Sequence, residues 1–477
     1  MLVAVVGAGV AGLAAAGELC HLRPDAEVVV LEQAARVGGK LRSATLAGHL
    51  VDVGAEAMLA RRPEGLDLIG AAGLTDERVD PLTTSAGIWA PGGVRPIPSG
   101  TVMGVPGDLD AARRSGLFSP ATVDRIAADA RASHEALTED VAVGRLVAQR
   151  LGAEIVDRLV DPLLGGVYAG RADRLSLRAT VPALARELAD GGSLVAAAAR
   201  AAAGSARTTA TAAVASPVFT SVRGGLGRLP SAVVERAAFT VRTATAVRAI
   251  RRSGTGFTLS IGPRPDGVEL AVDAVVVAVP AAKAAALLRD LAPAAAGELG
   301  AIDTASVAIV SVAVPTKGTT LPPGSGLLVP AGMASLVKGV TISSQKWPGA
   351  PADLAFVRAS IGRFGDEVVL QRDDDELATR AVTELSVLLG TDIRPIEVLV
   401  TRWGGSLPQY DVGHLDRVER IRSSVAGVPG LAVAGASYDG LGIPACVASG
   451  RAAARQALAG VAGVSGSPGA GVGGGGQ

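Results

Sequence analysis

Apolar residues come first along this chain. Val3–Val6 make a short, β-branched run that reads as a strand, and it breaks into the glycine-rich VVGAGVAGL of residues 5–13 before a helix begins. A second apolar run, VVVLE, closes on Glu32, 20 positions after Gly12. Further on, a Pro/Gly-rich segment spans Ile88 to Pro106, and residues 108–192 read as mostly helical. There Val123, Ile126, Ala127 and Ala130 fall at i, i+3, i+4 and i+7 and predict one apolar face. Arg113, Arg114, Asp124, Arg125, Asp129 and Arg131 are assigned to water, so the face fits a helical subdomain better than a membrane-docking surface. Residues 196–215, almost all Ala, Thr, Gly and Ser, read as a flexible low-complexity insertion. Ordered structure restarts at residues 221–235. Strands are predicted over 239–250, 256–261, 272–280, 302–314, 354–361 and 431–435, with helices over 375–389 and 444–460. The tail from Gly463 is Gly/Ser-rich and reads as disordered.

A nucleotide-type unit at the start and a strand–turn–helix at the end predict a domain that closes on itself around an inserted middle. The expected class is α/β. A Rossmann-like cofactor-binding domain would be assembled from residues 1–85, 216–285 and 400–462. An α+β substrate domain would come from 86–107 and 286–399, and a helical subdomain from 108–195. Residues 196–215 are left as the insertion and 463–477 as the tail.

The opening glycines carry chemistry. Gly7 permits a tight turn, Gly9 lets backbone approach a pyrophosphate, and Gly12 allows close packing of the helix whose N-terminus faces the phosphates. Glu32 stands where a carboxylate can accept bonds from both hydroxyls of a ribose. The doublet Gly38-Gly39 follows, flanked by Arg36, Lys40 and Arg42. A second close backbone approach suits a long cofactor, with cations to neutralise pyrophosphate, so FAD is favoured over NAD. Gly440, Gly442 and Ala445 repeat the spacing, but no acid lies about 20 residues on. They read as a helix N-terminus facing a flavin ring, against the alternative of a plain strand–helix turn.

Composition narrows the rest. The 477 residues exceed one ordinary core. Lys+Arg and Asp+Glu balance at 45 each and aromatics are 3%, which disfavours a nucleic-acid partner. Mean hydropathy of +0.39 comes from Ala, Val and Gly. The most apolar stretch, 274–288, is broken by Pro280 and Lys283, so no transmembrane segment is expected, while peripheral membrane contact stays open. The two cysteines, Cys20 and Cys446, form no metal or redox pattern, and with no signal peptide a cytoplasmic setting is expected. His21, His49, His134 and His414 are scattered and read as surface or packing residues, Met58 and Met103 as packing residues, and no metal site is expected. No nucleophile or acid–base pair is evident, so catalytic residues stay unassigned and the redox chemistry is expected to reside on the cofactor.

With these segments placed, the chain resembles the FAD-dependent porphyrinogen oxidases, a branch of the flavin amine oxidase superfamily, from Met1 to about Leu458. VVGAGVAGL and RVGGKLRS (36–43) are shared with the whole superfamily. DVGAEAMLARRPE (52–64), PIPSGTVMGVP (96–106), GGVYAGRADRLSLRAT (165–180), SSQKWP (343–348), RWGGSLPQYDVGH (402–414) and GASYDGLGIPACVASGRAAA (435–454) are more specific. The resemblance implies that Gly7, Ala8, Gly9, Val10, Ala11 and Gly12 bind FAD, with Glu32 and Gln33 at the adenosine end and Lys40 after the Gly doublet. It places Gly54, Ala55, Glu56 and Ala57 beside the flavin, Val247 at the adenine, Trp403 near the flavin, and Gly442, Ile443 and Pro444 at its pyrimidine edge. Ala436 and Ala445 stand where relatives often carry acids, so no side-chain contact is expected from them.

The resemblance further implies oxidation of a porphyrinogen to a porphyrin in heme biosynthesis. Hydride would leave a meso carbon for flavin N5, and dioxygen would then take the electrons and give peroxide. Gly165, Gly166, Val167, Tyr168, Ala169 and Gly170 would form a close-approach wall for the macrocycle, against the alternative of a helix-to-strand connector. Arg95, Arg171 and Arg174 are candidates for its propionates. The charged helical region, with no anchor, leans toward coproporphyrinogen III over protoporphyrinogen IX. A flavin amine oxidase would be expected to carry an aromatic cage and a lysine near N5, and only three Tyr and three Trp are present. A carotenoid desaturase should lack the KWP and PQY segments. A flavin-binding protein without turnover would give no peroxide. Oligomeric state is not set by the sequence.

Overall fold

The structure, a computed structural model, describes residues 1–210, 217–263 and 267–465. Two sheets organise it. The first has five parallel strands in the order Thr240–Arg242, Glu27–Leu31, Leu2–Val6, Ala274–Val277, Leu431–Val433. Apart from the edge strand Thr240–Arg242, its strands are largely buried on both faces and read as continuous Val/Ala/Leu runs, as parallel strands covered by helices should. Helices Val10–Leu22 and Ile443–Ser465 pack on one face. They approach so closely that a Cβ on Gly450 would lie 2.1 Å from the Ala11 carbonyl oxygen. The two ends of the chain therefore meet over one sheet, in the Rossmann-like α/β arrangement the pattern predicts.

The second sheet has seven strands in the order Glu397–Pro408, Thr304–Pro315, Leu354–Ile361, Val337–Ile342, Gly326–Leu328, Ala86–Ala90, Gly93–Pro96. All neighbours run antiparallel except Gly326–Leu328 with Ala86–Ala90. One face buries Val310, Val312, Val340, Val357 and Ala359 against helix Asp374–Leu389, which presents Leu377, Ala381, Leu385 and Leu388. That helix starts where Asp373 accepts the Glu376 N–H at 2.7 Å and stops at Gly390 in the left-handed region. The other face, carrying Arg358, looks toward the nucleotide-type unit.

Two expectations change in the helical region. The Ala/Thr stretch is not a flexible insertion over its first part: residues Leu194–Ala210 form a helix, while 211–216 lie outside the described residues. Alanine has the highest helix propensity, and Leu194, Ala197, Ala198 and Ala201 fall at i, i+3, i+4 and i+7, all buried. The side chains are small because the loop before residue 108 presses on the helix, with Gly107 against the Ala199 backbone. At the tail, residues 463–465 continue the last helix, and 466–477 lie outside the described residues.

The second change concerns the amphipathic face of Pro120–Asp129. Val123 and Ile126 are buried as predicted, but Ala130 is exposed and Asp129 is buried. Asp129 Oδ2 accepts from Ser193 Oγ at 3.0 Å and from the Val195 N–H at 2.9 Å, so it ties the start of the Ala-rich helix. Its other oxygen lies 3.3 Å from His134 Nε2. Asp129→Ala should cost about 2 kcal/mol, because it strands two buried donors, and a lowered urea midpoint with unchanged m-value would show it.

Among the described residues, no helix is long and apolar enough to cross a membrane.

Candidate active site

The first loop holds the geometry its glycines predict. Gly7 has φ +105°, and a Cβ on Gly12 would lie 1.9 Å from the Gly7 carbonyl oxygen. Gly12 thus serves its own loop more than the helix–sheet contact. A Cβ on Gly9 would meet nothing within 4 Å, so that side of the loop is open, and the helix starting at Val10 has no side-chain cap. Glu32 accepts the Ala8 N–H on Oε2 and the Ala34 N–H on Oε1, both at 2.8 Å. Each oxygen keeps a lone pair free for a hydroxyl. Gln33 is exposed beside it. Thr245 N–H donates to the Glu32 carbonyl at 2.8 Å, which brings the strand starting at Val247 to the same edge.

The Gly38-Gly39 doublet lies against this loop. Gly38 N–H donates to the Ala8 carbonyl at 2.8 Å, and a Cβ on Gly39 would sit 3.3 Å from Gly9 Cα. Arg36 is not free to neutralise a phosphate: its guanidinium donates to the carbonyls of Val37 (3.1 Å) and Gly39 (2.9 Å) and braces the doublet. Lys40 turns inward, and burial lowers its pKa.

From Lys40 the chain returns to itself at Gly54, where a Cβ would lie 2.0 Å from the Lys40 carbonyl and 3.2 Å from the Trp403 ring. Trp403 Nε1 donates to the Val53 carbonyl at 2.9 Å, and Arg358 Nη2 to the Gly54 carbonyl at 2.7 Å. Ala55 N–H donates to the Lys40 carbonyl, and Ala57 is half-buried beside it. The Glu56 side chain is fully engaged: Lys346 Nζ lies 2.6 Å away, Arg358 Nη1 2.7 Å and Ser343 Oγ 3.2 Å. Burial alone would raise the Glu56 pKa, but Arg358 and Lys346 outweigh it and hold the carboxyl at about 2. Lys346 belongs to the KWP segment, and Arg358 breaks the apolar alternation of residues 354–361, which was its only signal in the sequence.

Gly442, Ile443 and Pro444 start the last helix, with the Cys446 N–H donating to the Gly442 carbonyl at 3.0 Å. Met58, Gly65 and Pro444 pack together there.

Residues 165–170 lie elsewhere than a bare wall would. Gly165, Gly166, Val167 and Tyr168 end the helix Asp161–Tyr168, and Ala169 (φ +48°) turns the chain into Gly170. The protein itself takes the space beside two of these glycines, Arg363 at Gly165 and Gln409 at Gly170, while Leu328 lies at ordinary contact distance from Gly166. Gly166 and Val167 face outward, while Tyr168 packs 5.6 Å from Tyr410. Tyr410 stacks on His414 at 4.0 Å and donates to the Ala436 carbonyl at 2.5 Å. His414 is thus a core residue, and burial pushes its pKa down to about 4. Ala169, Phe364, Trp403 and Leu407 share one small apolar cluster, which joins this segment to the Gly54 region.

Two of the candidate propionate cations already have acid partners. Arg171 is paired in bidentate fashion with Asp173, and Arg174 with Asp303 and Asp411. Arg95 is exposed on the edge strand. A buried cation missed in the sequence is Lys338, next to Gly165.

Comparison with known proteins decides the family. Residues 10–458 match the model of the flavin containing amine oxidoreductases. The chain belongs to that family. This flavoenzyme is an FAD-dependent oxidoreductase. It is 38% identical over 451 residues to the coproporphyrinogen III oxidase of Mycobacterium leprae (strain TN), covering 94% of this chain and 96% of that one. It is 30% identical over 464 residues to the coproporphyrinogen III oxidase of Bacillus subtilis (strain 168), covering 96% and 97%. A crystal structure from Exiguobacterium sp. 255-15, provisionally assigned as a protoporphyrinogen oxidase, superposes with a TM-score of 0.83 at 30% identity, covering 95% of this chain and 98% of that one. The residues present fit the cofactor: the loop is open at Gly9, the helix start is uncapped, and Glu32 has acceptor capacity to spare.

Proposed function

We propose that this flavoenzyme oxidises coproporphyrinogen III to coproporphyrin III, with dioxygen as acceptor and hydrogen peroxide as co-product, in the cytoplasm. The observation that carries the reading is the end-to-end likeness to the two coproporphyrinogen III oxidases, at 94–96% coverage of this chain. Porphyrinogen oxidation removes six electrons and six hydrogens, and three dioxygen molecules would leave as three peroxides. When bound, FAD supplies the two-electron acceptor for each step.

The chain's own part is to bind, orient and exclude water. Residues 7–12, Glu32, Gln33 and Val247 would hold the adenosine and pyrophosphate, drawing on backbone N–H groups at a helix start. Lys40, the Gly54–Ala57 turn, Trp403 and Gly442–Pro444 would border the flavin. Gly165–Gly170 would border the substrate through the outward Gly166 and Val167. The discontinuous division into FAD-binding, substrate and helical units follows the same placement. No general base is needed where pyrrole nitrogens release protons to solvent or backbone.

A second reading, protoporphyrinogen IX oxidation, is favoured by the Exiguobacterium structure. Supplying anaerobically prepared coproporphyrinogen III and protoporphyrinogen IX separately, while following porphyrin fluorescence and peroxide, tests both. The expected result is a larger kcat/KM for coproporphyrinogen III and three peroxides per porphyrin. No fluorescence from either substrate would sink the proposal.

A further inference from the structure

Lys338 lies in the strand Val337–Ile342, between the seven-stranded sheet and the helix Asp161–Tyr168, and is 6% exposed. Its ammonium makes one long hydrogen bond, 3.5 Å to the Gly165 carbonyl, and among the described residues it forms no ion pair. Arg363, just past the neighbouring strand, reaches the same helix. Its Nη2 donates to the Val329 carbonyl at 2.6 Å. Its Nη1 is buried, lacks a hydrogen-bond partner and stands 3.6 Å from Asp161 Oδ2. Asp161 also accepts the Ala172 N–H at 2.9 Å. Of the two cations only Arg363 approaches the Asp161 carboxylate, so the Lys338 ammonium sits in a buried place with no carboxylate paired to it among the described residues, where an unmatched charge is costly. Burial pushes the Lys338 ammonium down to about 7, and the charge of Arg363 pushes the same way.

The cluster adjoins the face through which Gly166 and Val167 are exposed. Gly166 contacts Leu328, whose strand partner is Gly339, the residue after Lys338. Asp161 and Asp366 already act on Arg363, so a negative charge arriving there would serve the unpaired ammonium first, and a carboxylate offers two oxygens to two separate donors, an ammonium and the free guanidinium N–H.

We infer that Lys338 and Arg363 form a receptor for one carboxylate of the substrate, a site that selects a macrocycle rich in carboxylates over one poor in them. The inference rests on the porphyrinogen reading above and deepens it. Coproporphyrinogen III carries four carboxylates and protoporphyrinogen IX two, so the receptor would favour the former by engaging a side chain that the latter has as vinyl. Lys338 and Arg363 act here as binding and specificity residues and take no part in the redox step.

The test uses the FAD-loaded full chain. For Lys338→Met, KM for coproporphyrinogen III should rise about tenfold with kcat within twofold and the flavin spectrum unchanged, and Lys338→Arg should restore most of the loss. Wild-type protein should also bind coproporphyrin III at least tenfold more tightly than its tetramethyl ester, by flavin or porphyrin fluorescence titration. This second measurement needs no variant and stands if Lys338→Met fails to fold. Wild-type turnover combined with an unchanged KM in Lys338→Met, or equal affinity for acid and ester, overturns the carboxylate receptor alone. Absence of wild-type turnover on any porphyrinogen overturns the functional reading and the receptor with it.

Discussion

Gly12→Ala will yield a colourless, destabilised protein. The added methyl would stand 1.9 Å from the Gly7 carbonyl oxygen, well inside any real contact, so one side must move. The Gly7 side cannot. Its N–H is tied to the Leu31 carbonyl at 2.8 Å, and its other face lies on the backbone of Ala278, itself bonded to Val6. The helix side cannot either, because the last helix presses Gly450 against the Ala11 carbonyl. The loop is held from both directions, so relief must come from unwinding the first helical turn, which carries the uncapped N–H groups that would face the pyrophosphate. A loss of about 3 kcal/mol or more is expected, with flavin occupancy near zero. Gly17, exposed on the same helix with open space around it, is the control. Gly17→Ala should keep full flavin absorbance and gain about 0.5–1 kcal/mol from helix propensity. Stoichiometric flavin and an unchanged Tm in Gly12→Ala would refute the close approach.

That squeeze shows how far the sequence could be read. The turn at Gly7, the open side of Gly9, the close approach at Gly12 and the two N–H bonds to Glu32 were legible because the contacts among them fall within about thirty residues, and each has a residue type suited to it. The strand Leu354–Ile361 and the helix Asp374–Leu389 were legible because burial imposes a period. Gly450 was not, since its reason is Ala11, at the other end of the chain. Arg358, Arg363 and Lys338 stand in or beside apolar strands where alternation gives no hint of a partner, and the partners lie 302 residues away at Glu56 for Arg358 and 173 residues away at Gly165 for Lys338. Asp129 was assigned to water because charge on a helix normally faces it; the structure turns it inward to serve the N–H groups of another helix. The glycines of residues 165–170 were read as room for a ligand; Arg363 and Gln409 take that room at Gly165 and Gly170, while Gly166 stays exposed. Local signals thus capture the geometry of the glycine loop, while the charged contacts around Glu56 and Gly165 depend on tertiary pairing that no window of sequence contains.

The same pairing yields the second large effect. Glu56→Ala should destabilise the flavoenzyme by about 3–5 kcal/mol, because it leaves Arg358 and Lys346 buried without their shared counter-charge. The pair's value lies less in the attraction itself than in the cost of leaving two cations dry. Arg358 also donates to the Gly54 carbonyl, so its displacement would loosen the turn packed against Lys40 and Trp403, and flavin occupancy should fall with stability. Glu56→Gln keeps an acceptor for both cations and should fall between wild type and alanine. The pH dependence has a definite sign. The Glu56 carboxyl sits at about 2 in the folded protein against 4.5 as its ordinary value. A carboxyl depressed on folding stabilises fully above its unfolded pKa, so the contribution, about 3 kcal/mol, is present above roughly pH 5 and is lost as pH falls through 4.5 toward 2. The stability difference between wild type and Glu56→Gln, from urea midpoints at a series of pH values, should therefore be flat at neutral pH and shrink below about pH 5. A difference that stays constant to pH 3 would show that Glu56 is not the ion that holds Arg358 and Lys346 in place.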